Sequence, residues 1–183
     1  MTRIIAGTAG GRRLAVPPKG TRPTSDRVRE ALFGALAHDP GLDGAAVLDL
    51  CAGSGALGLE ALSRGAAHAL LVESDRRAAA VLRANVATLG LPGAEIAVVD
   101  AGALLRGPAR RTYDIVLVDP PYDVPADDVA RWLADGAAQG WFADDVVVAV
   151  ERTARDGAFP WPAPLHGVRE RRYGDTIVHT GAG

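Results

Sequence analysis

From residue 45 onward, short apolar runs alternate with amphipathic segments. The runs are nearly continuous, which is typical of strands buried on both faces of a parallel sheet. The segments between them repeat apolar residues at helical spacing. This pattern predicts a doubly wound α/β domain made of βαβ units. The predicted strands are Val47–Leu50, Ala69–Val72, Ile96–Val99, Ile115–Val118 and Val146–Val150, and the predicted helices are Ala56–Arg64, Asp75–Leu89, Ala101–Leu105 and Ala126–Ala138.

Both ends of the chain have the pattern of an antiparallel hairpin. Near the start, Arg3–Gly7 and Arg12–Val16 flank a glycine-containing turn. Near the end, Val168–Tyr173 and Thr176–Thr180 flank the dipeptide Gly174-Asp175, as in a hairpin with a two-residue turn. A mostly parallel sheet of seven strands, closed by a C-terminal hairpin, is more typical of a methyltransferase than of a dehydrogenase.

The segment between the first hairpin and the α/β region is predicted to be extended and then helical. Pro17, Pro18 and Pro23 disfavour a helix over the first part. Thr24–Asp26 supplies capping side chains, and the apolar stripe of a helix follows, formed by Val28, Leu32, Phe33 and Leu36. We therefore divide the chain into a basic hairpin extension, residues 1–20, and a main domain, residues 21–183.

Composition restricts the function classes. A chain of 183 residues, 48% of them hydrophobic, can bury one sizeable core, and no apolar run is long enough to span a bilayer. The start lacks the apolar core of a signal peptide, so we expect a cytoplasmic protein. Cys51 is the single cysteine, which excludes an internal disulfide and a cysteine-based zinc site. The four histidines lack metal-ligand spacing, and no metal is expected.

Charge is distributed unevenly, although the net charge is only -2. The first thirty residues hold seven basic side chains against two acidic ones, and the rest of the chain is acidic. A basic arm on an acidic body suits a polyanionic partner contacted through the arm, but a solvated tail without a partner explains the charge equally well. The residues that could contact such a polyanion are Arg3, Arg12, Arg13, Lys19, Arg22, Arg27 and Arg29.

The first candidate functional residues follow the first predicted strand of the α/β region. Val47–Leu50 runs into a G-x-G-x-x-G turn formed by Gly53, Gly55 and Gly58, and Glu73 ends the next strand. These are the parts of a nucleotide-cofactor site, in which the glycines let the backbone approach the ligand and the acid binds a ribose diol. At this level NAD and S-adenosylmethionine both fit.

Two further acids favour S-adenosylmethionine. Asp49 precedes the glycine turn, where its carboxylate would repel a pyrophosphate but suit an ammonium or sulfonium group. Asp100 follows the third strand, where it could contact an adenine amino group. The alternative for Asp100 is the N-cap of the following helix. Cys51 is expected to be a small buried residue at the strand end and not a nucleophile.

Asp119-Pro120-Pro121-Tyr122 follows a buried strand that ends at the same edge. The exocyclic amine of a nucleobase is a poor nucleophile, because its lone pair is delocalised into the ring. The Asp119 carboxylate and the Pro120 carbonyl could accept its N–H hydrogens and aim the lone pair at a methyl group. Tyr122 offers a flat face on which an extruded base can stack. These residues are the candidate catalytic group.

This turn resembles the [DNS]-P-P-[YFW] motif of amino-methyltransferases that act on exocyclic amines of nucleic-acid bases. Together with Arg3–Gly7, Arg22–Phe33 and Asp49–Gly58, it makes nearly the whole chain similar to the RsmD family of 16S ribosomal RNA guanine-N2 methyltransferases. The resemblance implies a Rossmann-like class I methyltransferase fold. It also implies methylation of guanine-966 at N2, with the small ribosomal subunit as partner; we expect a monomer.

By the same resemblance, the segment 24–29 closes over the methionine end of the cofactor and the hairpin contacts RNA. The alternatives are an amino-methyltransferase acting on DNA adenine N6 or protein glutamine, an NAD-dependent oxidoreductase, and a non-catalytic RNA-binding module. The candidate cofactor-binding residues are Thr24, Asp49, Cys51, Ala52, Gly53, Ser54, Gly55, Glu73, Ser74, Asp100, Ala101 and Asp119.

Overall fold

The computed structural model of the protein describes residues 2–17 and 25–183. The strands in these ranges are β1 (Thr2–Arg3), β2 (Arg13–Leu14), β3 (Ala46–Leu50), β4 (His68–Val72), β5 (Ala94–Ala97), β6 (Tyr113–Val118), β7 (Phe142–Thr153), β8 (His166–Tyr173) and β9 (Thr176–Ala182). The helices are α1 (Asp26–Leu36), α2 (Ala56–Ser63), α3 (Arg76–Leu89), α4 (Ala101–Leu105) and α5 (Ala126–Ala138).

β3 to β9 form one sheet in the order β5-β4-β3-β6-β7-β9-β8. The five strands from β5 to β7 are parallel to one another, and β9 pairs antiparallel with both β7 and β8. The predicted parallel sheet with an antiparallel C-terminal hairpin is therefore confirmed. The strand order reverses between β3 and β6, which is the position where open α/β sheets bind ligands, at the carboxyl ends of their strands.

Helices cover both faces of the sheet. On one face, which we call the α1 face, residues of α1, α2 and α3 pack against alternate residues of the strands, Val47 and Leu117 among them. On the other, the α5 face, α4 and α5 pack against Leu48 and Val118. Burial on both sides explains why these strands read as continuous apolar runs.

Most predicted bounds agree with the structure to within two residues, but β7 begins four residues earlier and ends three residues later than predicted. β5 begins and ends two residues earlier than predicted. Its ladder with β4 ends at the pair Val72 and Ala97, and the Glu73 N–H then donates to the Ala97 carbonyl at 3.0 Å. Val98 turns outward and is 38% exposed. The backbone leaves the sheet there because Asp100 already caps α4.

The N-terminal hairpin is present, with strands shorter than predicted, and it is docked on the main domain. Ile4 is fully buried, and the N–H groups of Ile5 and Ala6 donate to the Glu60 carboxylate on α2 at 2.7 and 3.0 Å. The Ser63 hydroxyl donates to the Ala6 carbonyl at 2.6 Å. The hairpin therefore belongs to the packed structure and is not a projecting arm.

Arg29 is a correction to the sequence analysis. The prediction that it contacts RNA is wrong, because its side chain is completely buried. Its guanidinium donates to Asp26 at 2.7 Å and lies 3.8 Å from the Glu60 carboxylate. A buried arginine needs such partners, since an uncompensated charge in the interior costs several kcal/mol. Arg29 thus joins the start of α1 to α2 and, through Glu60, to the hairpin.

None of the helices within residues 2–17 and 25–183 has both the length and the apolar character to cross a membrane. The edge strand β8 is exposed along almost its whole length and carries Arg169, Arg171 and Arg172. Charged residues on an edge strand oppose edge-to-edge pairing with other chains.

Candidate active site at the carboxyl edge of the sheet

The glycine turn connects β3 to α2, and three of its residues have a positive φ. Cys51 has a φ of 63°, Gly53 of 56° and Gly55 of 82°. Left-handed backbone is rare for a residue with a side chain, so Cys51 marks a strained position of the kind found at functional sites. A Cβ added at Gly53 would meet no atom within 4 Å. The turn therefore presents bare backbone to an open space, as a bound ligand requires.

Gly58 differs from Gly53, because the space around it is filled. Its N–H donates to the Asp49 carboxylate at 2.8 Å. A Cβ at this position would lie 2.6 Å from Leu71 and 3.0 Å from Asp49. The third glycine of the motif therefore permits close packing of α2 on the sheet, which is its usual function in this fold.

Glu73 links the glycine turn to the end of β4. One carboxylate oxygen accepts from the Gly53 N–H at 2.8 Å, and the other accepts from the Asp75 N–H at 2.7 Å. Each carboxylate oxygen can accept more than one hydrogen bond, so both remain able to bind a ligand hydroxyl. The two backbone contacts fix the orientation of the side chain before any ligand arrives.

Asp100 has the helix-capping role that was left open as its alternative. Its carboxylate accepts from the Ala103 N–H at 2.8 Å, at the start of α4. The side chain also lines the cavity described next, so capping and ligand contact are compatible.

A cavity of about 640 Å³ lies over the ends of β3, β4 and β6. This volume falls within the range of about 300–1,000 Å³ that is usual for small-molecule sites. We call it the carboxylate cavity, because acidic side chains dominate its polar lining. Of the candidate cofactor-binding residues, it is lined by Cys51, Glu73, Ser74, Asp100, Ala101 and Asp119, and by the further acids Asp75 and Asp123.

Asp49 lies beneath this cavity and not on its rim. The residue is 1% exposed, and among the described residues nothing donates to its Oδ1 atom. Burial raises the pKa of Asp49 from 3.8 to about 8, opposed by the Gly58 N–H and assisted by the neighbouring carboxylates of Asp119 and Glu73. A cation bound in the cavity would favour the ionised form and lower this pKa.

The electrostatic environment of Cys51 also indicates that the cavity prefers a cationic ligand. Burial raises the pKa of its thiol, and the carboxylates of Glu73, Asp49, Asp119 and Asp100 raise it further, in that order. A thiol held in its protonated form is a poor nucleophile, in agreement with the sequence analysis. The carboxylates of Glu73, Asp119 and Asp100 around this atom produce a negative potential, which suits a cationic ligand and opposes a pyrophosphate.

The D-P-P-Y turn separates two cavities. Asp119 and Pro121 line the carboxylate cavity, whereas Tyr122 lines a second cavity of about 180 Å³, together with Glu151 and Tyr173. We call this second space the tyrosine cavity. Pro120 is buried and Tyr122 is 54% exposed, so the turn is anchored while its aromatic ring remains accessible.

Apart from the arginines in the described ranges, the remaining predicted residues fall into two groups. Ala52, Ser54 and Gly55 belong to the glycine turn, where the Gly55 N–H donates to the Ala52 carbonyl at 2.7 Å and the Ser54 carbonyl accepts from Asn85. Three predicted residues lie outside the described ranges: Thr24, Lys19 and Arg22.

The arginines predicted to bind RNA differ in their surroundings. Arg13 and Arg27 are exposed. Arg3 is 63% exposed, with its guanidinium 3.3 Å from the Asp26 carboxylate. The guanidinium of Arg12 donates to the Thr88 and Leu89 carbonyls at the end of α3. Arg12 therefore caps a helix and fastens the hairpin, a role that its sequence position did not suggest.

Several site residues were missed from the sequence. Trp132 and Val124 line the carboxylate cavity, and Tyr173 and Glu151 line the tyrosine cavity. Trp132 lies on α5, where its position in a helical pattern indicates only packing. Glu151 could have been found as the acid that ends the Val146–Val150 run, by the same reasoning that identified Glu73 and Asp119.

Comparison with known proteins identifies the family. Residues 2–181 match the family described as conserved hypothetical protein 95. Over 171 residues, 92% of this chain and 83% of its relative, the sequence is 43% identical to ribosomal RNA small subunit methyltransferase D of Escherichia coli. The chain belongs to this methyltransferase family. The RsmD resemblance stated in the sequence analysis is thereby confirmed.

Two further comparisons support the assignment. Ribosomal RNA small subunit methyltransferase D of Haemophilus influenzae is 35% identical over 176 residues, covering 94% of this chain and 89% of that relative. The solved structure of yhhF from Escherichia coli, described as a candidate methyltransferase, superposes with a TM-score of 0.87 at 38% identity, covering 99% of this chain and 97% of that one. The Rossmann-like class I methyltransferase fold is therefore shown along nearly the whole chain.

Proposed function

We propose that this protein transfers a methyl group from S-adenosylmethionine to the exocyclic N2 of a guanine in 16S ribosomal RNA. The observation that carries the proposal is the placement of the D-P-P-Y turn. It lies between a cavity lined by carboxylates and a cavity lined by tyrosines, at the reversal point of the sheet. The names of the relatives support ribosomal RNA as the substrate; guanine-966 and the assembled small subunit follow from the family resemblance.

The carboxylate cavity suits this cofactor in three respects. Glu73 is oriented by two backbone N–H groups and would hold the ribose hydroxyls. Asp100 would contact the adenine edge, with Ser74 and Ala101 beside it. The open space at Gly53 and the orphaned Oδ1 of Asp49 would accommodate a cationic amino-acid portion. When bound, S-adenosylmethionine would supply an electrophilic methyl group.

The residues of the turn would prepare the acceptor amine. The Asp119 carboxylate and the Pro120 carbonyl would accept its N–H hydrogens and direct the nitrogen lone pair toward the cofactor. Tyr122 would stack on the extruded base, since its ring is accessible. The Asp119 carboxylate could take up the proton that the amine loses after transfer.

The basic hairpin is proposed to contact the RNA backbone through Arg3 and Arg13, with Arg27 nearby in sequence. Because the hairpin is packed on α2, it would present these charges from a fixed position. The segment containing Thr24 is proposed, from the resemblance alone, to close over the methionine end of the cofactor.

A methyl-transfer assay tests the proposal. The purified protein is incubated with S-adenosylmethionine carrying a labelled methyl group and, in parallel, with small ribosomal subunits, their naked RNA, and duplex DNA. We expect label in the ribosomal RNA, recovered as N2-methylguanosine by mass spectrometry. Label in DNA adenine or in protein would contradict the substrate assignment, and calorimetric binding of NAD in place of S-adenosylmethionine would contradict the cofactor.

A further inference from the structure

The tyrosine cavity has two carboxylates in its lining, those of Glu151 and Asp175. Glu151 follows the buried core of β7, and it is half-buried and pairs in register with Val178 of β9. Val178 belongs to the hydrophobic core of the α1 face, with Tyr173 packed against it. The first turn of α1 completes the cavity through Ser25 and Val28.

The sheet register brings Glu151 close to the proposed catalytic turn. β6 and β7 are parallel, and Val118 pairs with Val150. The next residue on each strand is an acid, Asp119 on one and Glu151 on the other. Adjacent strands lie about 4.8 Å apart, so the backbones of these two residues are neighbours at one edge of the sheet. Asp119 lines the carboxylate cavity and Glu151 lines the tyrosine cavity, on the two sides of the turn.

Hydrogen-bonding capacity distinguishes guanine from the other purine at such a site. The Watson–Crick edge of guanine presents two adjacent donors, N1–H and the N2 amine, whereas adenine presents an acceptor at N1. An ionised carboxylate only accepts hydrogen bonds. A carboxylate beside N1 therefore favours guanine and disfavours a base whose N1 is an acceptor.

We propose that the tyrosine cavity receives the target base and that Glu151 selects guanine by accepting its N1–H, while Asp119 contacts the neighbouring N2 amine. This inference rests on the proposed methyl transfer to a guanine. The cavity provides the other elements of base recognition, because Tyr122 and Tyr173 are aromatic surfaces and the polar lining is rich in acceptors. Glu151 is thus a specificity-determining residue, and it does not touch the transferred methyl group.

A base-analogue experiment tests the role of Glu151. Two RNA substrates are compared, one with guanine and one with 2,6-diaminopurine at the methylated position. Both bases carry a 2-amino group, but diaminopurine has an acceptor at N1. We expect the wild-type protein to favour guanine in kcat/KM by about 10- to 100-fold, the range usual for a specific base contact. In Glu151→Gln, whose amide can donate to N1, this preference falls to near unity or inverts.

Two control variants make the result specific. Asp175→Asn changes the other carboxylate of the cavity and should leave the guanine preference intact. Glu151→Asp keeps the acceptor and should retain a preference above tenfold. Calorimetric binding of S-adenosylmethionine, expected to be unchanged in all three variants, shows that each is folded. A merely structural role of Glu151 would lower activity on both bases equally and would overturn the proposal.

The outcomes also separate this inference from the function on which it rests. If the wild-type protein methylates no guanine in small-subunit RNA, the proposed function fails first. If it methylates guanine and Glu151→Gln keeps the full preference over diaminopurine, the assignment of Glu151 alone is overturned. A preference lost in Asp175→Asn instead would give the recognition to Asp175 and would equally overturn it.

Discussion

Glu73, at the end of β4, accepts a hydrogen bond from the backbone N–H of Gly53 at 2.8 Å. The contact spans twenty residues and joins the two parts of the cofactor motif that the sequence shows as separate signals. Its consequence is preorganisation: the acid and the glycine turn hold each other in place, so a ligand meets a site that is already formed.

Glu73→Gln should weaken binding of S-adenosylmethionine by about 10- to 100-fold, since hydrogen bonds to a charged group contribute about 1.5–3 kcal/mol. The amide also places an NH₂ against one of the two backbone donors, so thermal stability should fall as well. Isothermal titration calorimetry measures the affinity. The control is Glu95→Gln, an exposed acid of β5; equal losses in both variants would show that the effect is not local to the cavity.

The buried Asp49 predicts a pH dependence of stability. Its pKa is raised from 3.8 to about 8, so between these values the folded protein holds a proton that the unfolded chain has released. The contribution of Asp49 to the free energy of unfolding is therefore fully present below pH 4. It is lost as the pH rises toward 8, by at most about 1.4 kcal/mol per pH unit. Urea unfolding of the wild-type protein and of Asp49→Asn, from pH 5 to 8, measures the difference.

The stability of Asp49→Asn relative to wild type should rise with pH in that series. Asp145→Asn, which changes an exposed acid at the start of β7, serves as the control. A pH-independent difference between Asp49→Asn and wild type would show that Asp49 is ionised in the folded protein. In that case Asp49 would be a buried charge over this whole pH range, and its raised pKa would be contradicted.

Docking of the hairpin depends on Gly7. Its φ is 82°, and a Cβ there would lie 1.8 Å from the Ser63 carbonyl oxygen. Gly11 has nearly the same φ, 81°, but open space around it. Gly11→Ala should therefore cost about 1–2 kcal/mol from backbone strain alone, and Gly7→Ala should cost at least about 2 kcal/mol more, since the hairpin must move. Thermal melts that show equal losses would exclude the clash.

The exposed arginine of the hairpin predicts a salt effect. Arg13→Ala should weaken binding to small-subunit RNA and reduce the slope of log affinity against log salt by about one. Arg12→Ala should instead lower thermal stability, because its guanidinium binds the carbonyls at the end of α3. RNA binding measured at several salt concentrations, beside a thermal melt of each variant, separates the two roles. An unchanged slope for Arg13→Ala would show that Arg13 does not contact the RNA backbone.

The sheet could be predicted from the sequence because its central strands are buried on both faces, and a run such as Val47–Leu50 has no other common explanation. The residues that end these strands, Glu73 and Asp119, were found for the same reason. The sequence did not predict the surroundings of residues whose contacts lie far away along the chain. Arg29 is buried because Glu60, thirty-one positions away, lies opposite it, and nothing local in the sequence indicates this.

The second cavity was missed for a similar reason. It depends on the pairing of β7 with β9 and on the position of α1 over the sheet, which bring Glu151, Tyr173 and Val28 together from three distant segments. The left-handed conformation of Cys51 was also unpredictable, since cysteine has no preference for it. In both cases the tertiary structure, and not local propensity, places the residue.

Asp119 is the residue on which the account depends most. Asp119→Ala should reduce methyl transfer by about 10²- to 10⁴-fold, since a methyl side chain can neither accept a hydrogen bond from the amine nor take up its proton. Binding of S-adenosylmethionine should change little, because Glu73 and the glycine turn are intact in this variant. Loss of cofactor binding in Asp119→Ala would move the residue from the reaction to the cofactor site.

The most direct measurement is mass mapping of modified nucleotides in small-subunit RNA. The RNA is taken from a strain that lacks this gene and from the same strain carrying either the wild-type gene or Asp119→Ala. The account predicts that one N2-methylguanosine disappears in the deletion strain, returns with the wild-type gene and stays absent with Asp119→Ala. An unchanged modification pattern in the deletion strain, or full recovery with Asp119→Ala, would contradict it.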